Sequence, residues 1–484
     1  VALVGVLGAV ALGVIAALGS PELVWAIALV LVFGLAFAWP EAGRARLFAV
    51  LGALTNVVAI NWVYVDSVAP NYAYEGLVAN AIPLTTIAGA TLLAAAPALW
   101  LPIRLKRPSE VVLWVLYLFG YTPSVLMPVF LFPADRGPVL PFELLLLVGF
   151  LSVGAMQVLL PRRWGGPPGL SRRAFDRLAL VLGLASIGYL IAFLGVPTSI
   201  PDFLQAYAVR ADLATAEGSL PGSGYLITWF GNVVFPLLLC IGLARRRWMW
   251  VGLGALGELL LYSQGGAKSV LFNILFAPAL FVAIDRWRNR FGVAMVWGAV
   301  SVLLVTTLVA EVTGSLWPVA LYAVRLIALP GQLLAYYLDF FTTHAPYDLS
   351  WSILRPFAAS QYAVDPPSLI GFIYFHTTVN ANANIWADAL ANFGLVGIVP
   401  FSIVLGLIIW ILDLVAAGRD LRIVGGTLGL AALSLANGAL LTSILTYGLG
   451  LIILLCAAMP RESDEPEAAR SLPPRQPVAV AGHA

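Results

Sequence analysis

The chain has 484 residues, is 61% hydrophobic and only 10% charged, and carries a formal net charge of +2 at pH 7. One soluble core could not hide that much apolar surface, and apolar runs of roughly 20 residues, the length a helix needs to cross a bilayer, recur along almost the whole chain. A soluble globular protein is excluded, as is a porin-like barrel of short alternating strands, which leaves an all-α polytopic integral membrane protein.

In chain order, spans are expected at 2–18, 22–39, 46–63, 77–101, 111–133, 139–160, 176–196, 223–243, 248–262, 267–284, 292–313, 385–416, 423–439 and 442–459, about 14 in all. The first run lacks a basic leader and leads directly into the second, so no cleavable signal peptide is expected. The third runs into Asn61 and Tyr64, and the fifth is broken by Gly120-Tyr121-Thr122-Pro123-Ser124. Neighbouring helices can satisfy backbone groups freed by such a break. Residues 1–459 read as one transmembrane domain, and 460–484, rich in Pro, Glu and Arg, as a disordered cytoplasmic tail. Cys240 and Cys456 lie inside apolar runs and read as small buried hydrophobes. No internal repeat is visible, which counts against a secondary transporter.

Alternating the loops sorts the charges. One side collects Arg44/Arg46, Arg104/Lys106/Arg107, Arg162/Arg163/Arg172/Arg173/Arg177, Arg245/Arg246/Arg247, Arg286/Arg288/Arg290, Arg419/Arg422 and the tail arginines. Short cytoplasmic loops accumulate positive charge, so this side is expected to be cytoplasmic, with both termini on it. Of 26 Lys and Arg, only Arg136, Arg210, Lys268, Arg325 and Arg355 fall on the other side. Two outer loops stand out, at about 197–222 and 314–384. Long loops are frequently functional. Within the second, Leu321 to Phe341 is apolar enough to lie on the membrane or dip into it; if it spanned, the charge alternation downstream would break.

The densest polar pattern is His376, Asn380, Asn384, Asp388 and Asn392, at every fourth residue, leading into Gly394 and Gly397. On a helix these make one polar stripe. A helix cap with interhelical packing explains part of it; a stripe about four turns long containing Asp388 also suits a site. Arg325 sits among apolar residues, where a cation costs about 2.5–3.5 kcal/mol at mid-bilayer. It can snorkel to head groups or grip phosphate with its guanidinium fork. Arg210 can pair locally with Asp212. Two arginines from separate outer loops would suit a diphosphate. Lys268 follows Gly265-Gly266-Ala267, which reads as a tight hairpin turn or as an anion-binding helix start; it is not a Walker motif. Arg355, Tyr207, Tyr362 and Tyr374 are further candidates on the outer side. His344 and His376 lack metal-ligand spacing, so no metal and no cofactor are expected. Asp388, His376 and His344 are the candidate bases, with the first two preferred.

Three patches carry a resemblance: Arg210 in the first outer loop, the Gly265-Gly266-Ala267-Lys268-Ser269 turn, and Arg325 with the run Asn384 to Gly397 in the second. In them, and in its topology, the chain resembles the Wzy-type O-antigen or oligosaccharide repeat-unit polymerases, and the related O-antigen ligases share the plan. The family's loose Arg-then-Gly spacing is met only approximately by Arg210 and Gly222. The resemblance implies a GT-C-like architecture in the bacterial inner membrane. It further implies glycosyl transfer between undecaprenyl-diphosphate-linked glycans on the outer face. Arg210 and Arg325, with Lys268 or Arg355, would hold the diphosphate; Asn380, Asn384 and Tyr207 would line the substrate. A chain-length regulator or flippase is an implied partner; nucleic acid is not. The competing readings are a lipid-linked glycan transporter and a non-catalytic scaffold.

Overall fold

The computed structural model describes residues 41–133, 139–161, 166–202, 205–352, 360–377 and 379–462. The expected spans 2–18 and 22–39, Arg136, Arg355 and the tail beyond 462 lie outside the described residues. Among the described residues all regular structure is helical, and nine helices are long and apolar enough to cross a membrane. Apolar runs take this form because hydrocarbon offers backbone N–H and C=O groups no partner outside their own segment.

The helices are, in order, α1 (Gly43–Glu75), α2 (Leu84–Leu99), α3 (Pro108–Leu131), α4 (Val139–Leu159) and α5 (Arg172–Leu194). Next come α6 (Gln205–Ser219), α7 (Ser223–Ala244), α8 (Trp248–Gly265), α9 (Lys268–Trp287), α10 (Phe291–Thr313) and α11 (Trp317–Phe341). The last are α12 (Pro366–Phe375), α13 (Ile385–Phe393), α14 (Ile398–Val415), α15 (Leu421–Ser434), α16 (Leu440–Leu445) and α17 (Leu449–Ala458). Helices α9 and α10 form one 46-residue apolar stretch, divided at a 3₁₀ turn over Arg288–Arg290. Helix α3 is buried along its whole length, with α4, α11, α14 and α15 around it. Helix α15 presents Gly425, Gly426 and Gly429 to α7 and α9; a Cβ on Gly426 would come 2.5 Å from Cys240 Sγ. Small residues let helices approach in this way where no hydrophobic force drives them together.

The basic loops meet at one end of the bundle. Arg46 donates to the carbonyls of Ala98 (3.1 Å) and Leu101. Leu105 N–H reaches Arg288 O (2.8 Å), and Arg107 reaches Gln157 O (3.1 Å). Arg422 bridges Asp420 (2.8 Å) and Asp285 (3.0 Å), while Arg419 donates to Pro167 O and Ala457 O. Asp176 pairs with Arg245 and Arg247. Asp413, at the end of α14, accepts from Ser109 N (2.9 Å) and Oγ (2.7 Å) at the start of α3. The charge alternation read from the sequence thus appears as a single hydrogen-bonded basic layer.

The opposite end is tied by other contacts. Tyr262 donates to Pro201 O, Asn80 to Phe130 O and Leu131 O, and Tyr64 to Val78 O. Helix α11, Trp317–Phe341, is itself long and apolar enough to cross a membrane. Trp317 lies under Lys268, and Gln332 donates to Glu75 O at the far end of α1 (2.8 Å). Between them Tyr322 dips to the Ala299 carbonyl of α10 and the Phe119 ring of α3. Leu321 to Phe341 is not expected as a span, because a span there would break the charge alternation downstream; in the structure it belongs to one continuous helix of spanning length.

Three expectations need correction. The stretch around 197–222 is not merely a loop: Gln205–Ser219 is helical. The proposed break in the fifth span is absent: α3 runs through Gly120–Ser124 by widening to a π turn over Tyr117–Tyr121. There the Ser124 hydroxyl donates to Gly120 O (2.6 Å), returning a bond to a backbone loosened by Pro123. The run 46–63 does not stop at Asn61 and Tyr64 but continues as helix to Glu75.

Candidate functional site

The candidate site occupies the end opposite the basic layer. Gly265 and Gly266 close α8, and Gly266 has φ +60°, a left-handed conformation that glycine adopts without strain. A Cβ there would run into the Ala206 carbonyl, and Leu213 lies against Gly265, so α6 rests directly on this turn. Arg210 and Asp212 are exposed on α6, while burial pushes the Glu217 carboxyl above the ordinary range. Tyr207 is also on α6; its side chain lies outside the described residues. Lys268 opens α9, with its Nζ 5.2 Å from the centre of the Trp317 ring. The Gly265–Lys268 turn therefore joins the helix bearing Arg210 to the start of the helix bearing Arg325.

Arg325 lies in a π-helical stretch of α11, Ala320–Ala328. Tyr322, Ala323, Val324, Ile327 and Ala328 turn into the bundle, and Arg325 is exposed. It makes no hydrogen bond or ion pair with any described residue. π turns interrupt helices at some energetic cost and recur at functional sites.

The five-residue polar stripe is not continuous. His376 ends α12 in a left-handed conformation, φ 53°, and regular helix resumes only at Ile385. Asn384 is the reason: its Oδ1 accepts from Trp386 N and Ala387 N, both at 3.1 Å, and its Nδ2 donates to Ser124 Oγ at 2.7 Å. A side chain that caps a helix start satisfies N–H groups the helix cannot, so the chain before it follows another path. Asn380 is exposed and accepts from Ser368 Oγ at 3.1 Å.

Only Asp388 and Asn392 lie within α13, with Asn384 capping its start. The half-buried Asp388 carboxylate accepts from Asn392 Nδ2 (2.8 Å) and from Leu440 N (2.8 Å), where α16 begins. Asn392 in turn accepts from Leu349 N (3.0 Å), while the backbones at 347 and 348 bond to those at 391 and 392. These polar groups tie loops to α13 at the end where the cations lie. Asp388 therefore holds the tip of the α15–α17 hairpin with the oxygens a general base would use.

His376 and His344 are both exposed. The His344 ring stacks on Phe340 at 4.0 Å and its Nδ1 is within 3.0 Å of Phe340 O. Tyr374 stacks on Tyr336 at 4.4 Å and donates to Asp339 Oδ2 (2.6 Å). Tyr362 stacks on Tyr347 at 4.4 Å and donates to Ala345 O (2.6 Å). One face of each tyrosine is therefore covered by a protein ring. No three His, Cys, Asp or Glu side chains gather as metal ligands among the described residues. A small apolar cavity lies between α1, α3, α10 and α11, lined by Tyr64, Met127, Leu303 and Ala323 among others.

Sequence reasoning passed over one polar pair. Glu258 of α8 and Asn273 of α9 are fully buried, joined by a 3.0 Å bond from Asn273 Nδ2 to Glu258 Oε1. The signal was present, since Glu258 is an acid in the apolar run Gly257-Glu258-Leu259-Leu260-Leu261, and intramembrane acids merit attention by default. Known proteins offer no guide to these features: no family model matches the chain, and neither a curated protein nor a solved structure is similar to it.

Proposed function

We propose that this chain is a membrane glycosyltransferase that polymerises lipid-diphosphate-linked oligosaccharide units on the outer face of a bacterial plasma membrane. The architecture would be GT-C-like, with about 14 spans and both termini cytoplasmic. The observation that carries the reading is Arg325: an exposed guanidinium without a protein partner among the described residues, on a helix that otherwise buries apolar side chains. A cation kept at that depth needs an anion, and a lipid-linked diphosphate brings one to the head-group level. Arg210 and Lys268 lie at the same end and would share its charge, and Arg355 belongs to the same expected set.

In this reading an acceptor hydroxyl attacks the anomeric carbon of the donor glycan. The bond to the lipid diphosphate breaks, and the diphosphate leaves with the electron pair under the arginines. The acceptor's proton passes to a base. Exposed His376 suits that role better than Asp388, whose oxygens hold Asn392 and Leu440. No nucleotide is needed, because the donor carries its own leaving group.

The test is polymer formed by cells whose sole copy is Arg325→Ala. Losing one charge-stabilising group should lower the rate about 100- to 1000-fold, with the protein present at its usual level. Arg325→Lys should recover part of it, since an ammonium lacks the bidentate fork. Full-length polymer from Arg325→Ala would reject the assignment. Transfer to another acceptor, as in ligases, would appear as lost glycan attachment with normal polymer length.

A further inference from the structure

The Glu258–Asn273 pair lies outside the proposed transfer site. At about 1.5 Å per residue, Glu258 sits roughly 10 Å below the end of α8. Asn273 Nδ2 donates to Glu258 Oε1 (3.0 Å) and to the Gly231 carbonyl (3.2 Å), in the π turn Phe230–Val234 of α7. Three helices thus contribute one polar group each. Gly231 permits the approach: a Cβ there would stand 3.7 Å from Glu258 Oε2 and 2.8 Å from Leu261. Glu258 Oε2 and Asn273 Oδ1 are both buried without a hydrogen-bond partner.

Among the described residues no cation pairs with Glu258. Among the elements packed on α8, Arg172, Arg173, Asp176 and Arg177 of α5, Arg245 beyond α7, and Asp285 and Arg286 of α9 lie towards the basic layer. Arg210, Asp212 and Glu217 of α6, Tyr225 of α7 and Lys268 of α9 lie towards the opposite end. Tyr189 of α5, Cys240 of α7 and Tyr262 of α8 are the titratable groups between. Asn273 makes the hydrogen bond that Glu258 receives, and an uncompensated carboxylate in such a place costs several kcal/mol. Intramembrane acids of this kind serve proton relays.

We propose that Glu258 is a proton-binding site inside the bundle, with the exchangeable proton on Oε2 and Asn273 holding Oε1. Release of that proton to solvent leaves a carboxylate beneath the π turn of α7. That turn also contains Asn232, whose Nδ2 donates to Tyr447 O (3.2 Å) in the α15–α17 hairpin. The proton is thereby linked to the hairpin that Asp388 holds from the other side.

A membrane-soluble carbodiimide couples to protonated carboxyl groups. The intact protein in proteoliposomes is treated across a pH series, and adducts are mapped by mass spectrometry. An adduct on Glu258 is expected at low pH, fading as pH rises, absent from Glu258→Gln, and unchanged when NaCl replaces choline chloride. Labelling of Glu143, the buried acid of α4, without Glu258, or a Glu258 adduct indifferent to pH, overturns the proposal. Protection by sodium overturns it too, in favour of a sodium site. The wild-type series decides the matter even where Glu258→Gln does not fold. Polymer synthesis is not the readout, so the outcome is separate from that of the Arg325 test.

Discussion

Asn384→Ala tests whether the Asn-rich segment is built for support or for substrate. The variant removes the acceptor of Trp386 N and Ala387 N, and the donor to Ser124. The lost cap and the stranded N–H groups are the same two bonds, so their cost counts once, at about 1–3 kcal/mol for buried donors. Ser124 is not itself orphaned, because its hydroxyl also bonds Gly120 O. The loss is borne where α13 meets α3. Trp386, the next residue after the first helical position, packs edge-on against Tyr121 and Phe150, so its fluorescence reports on this junction. Thermal unfolding in detergent should show Asn384→Ala melting well below wild type and Asn384→Ser, which keeps a capping oxygen, between them. Polymer made per folded molecule should be unchanged. An alanine variant that melts like wild type yet makes no polymer would refute the capping argument and return Asn384 to the substrate.

Other expectations follow from the same contacts. Asp413→Ala removes the acceptor of Ser109 N and Oγ; the buried N–H left behind should cost about 1–3 kcal/mol, seen as a lower midpoint in detergent, and Asp413→Asn should recover part of it. Gly266→Ala places a Cβ against the Ala206 carbonyl and should lift α6 from its seat, making Gln205–Ser219 the first site of limited proteolysis; unchanged protection would show that α6 is held by other means. Asp388→Ala should loosen the start of α16, which amide exchange at Leu440 would report, whereas a catalytic role alone would leave that exchange as it was.

Much of the architecture was legible beforehand because the membrane imposes one-dimensional rules. The run around 139–160 could only be a helix, and Arg46, Arg107, Arg288 and Arg422 could be sorted to one side by counting. The polar stripe was not legible. A period of four suggests a helix from His376 onward, but Asn384 caps from outside the helix and His376 closes a different one. Glu258 was visible as an acid in an apolar run, while its partner Asn273 lies on the next helix and its enabling Gly231 on the helix before.

Composition and loop charge by themselves determined that this chain crosses a membrane many times and which loops share a face, since burial of backbone in hydrocarbon and the placement of basic residues depend on local sequence. Tertiary structure alone decided that α11 is tied through Gln332 to the end of α1, that α6 sits on the Gly265–Lys268 turn, and that Asp388 spends its oxygens on a distant hairpin. Those outcomes depend on which surfaces of different helices meet, and periodicity along a single segment carries no information about its partner.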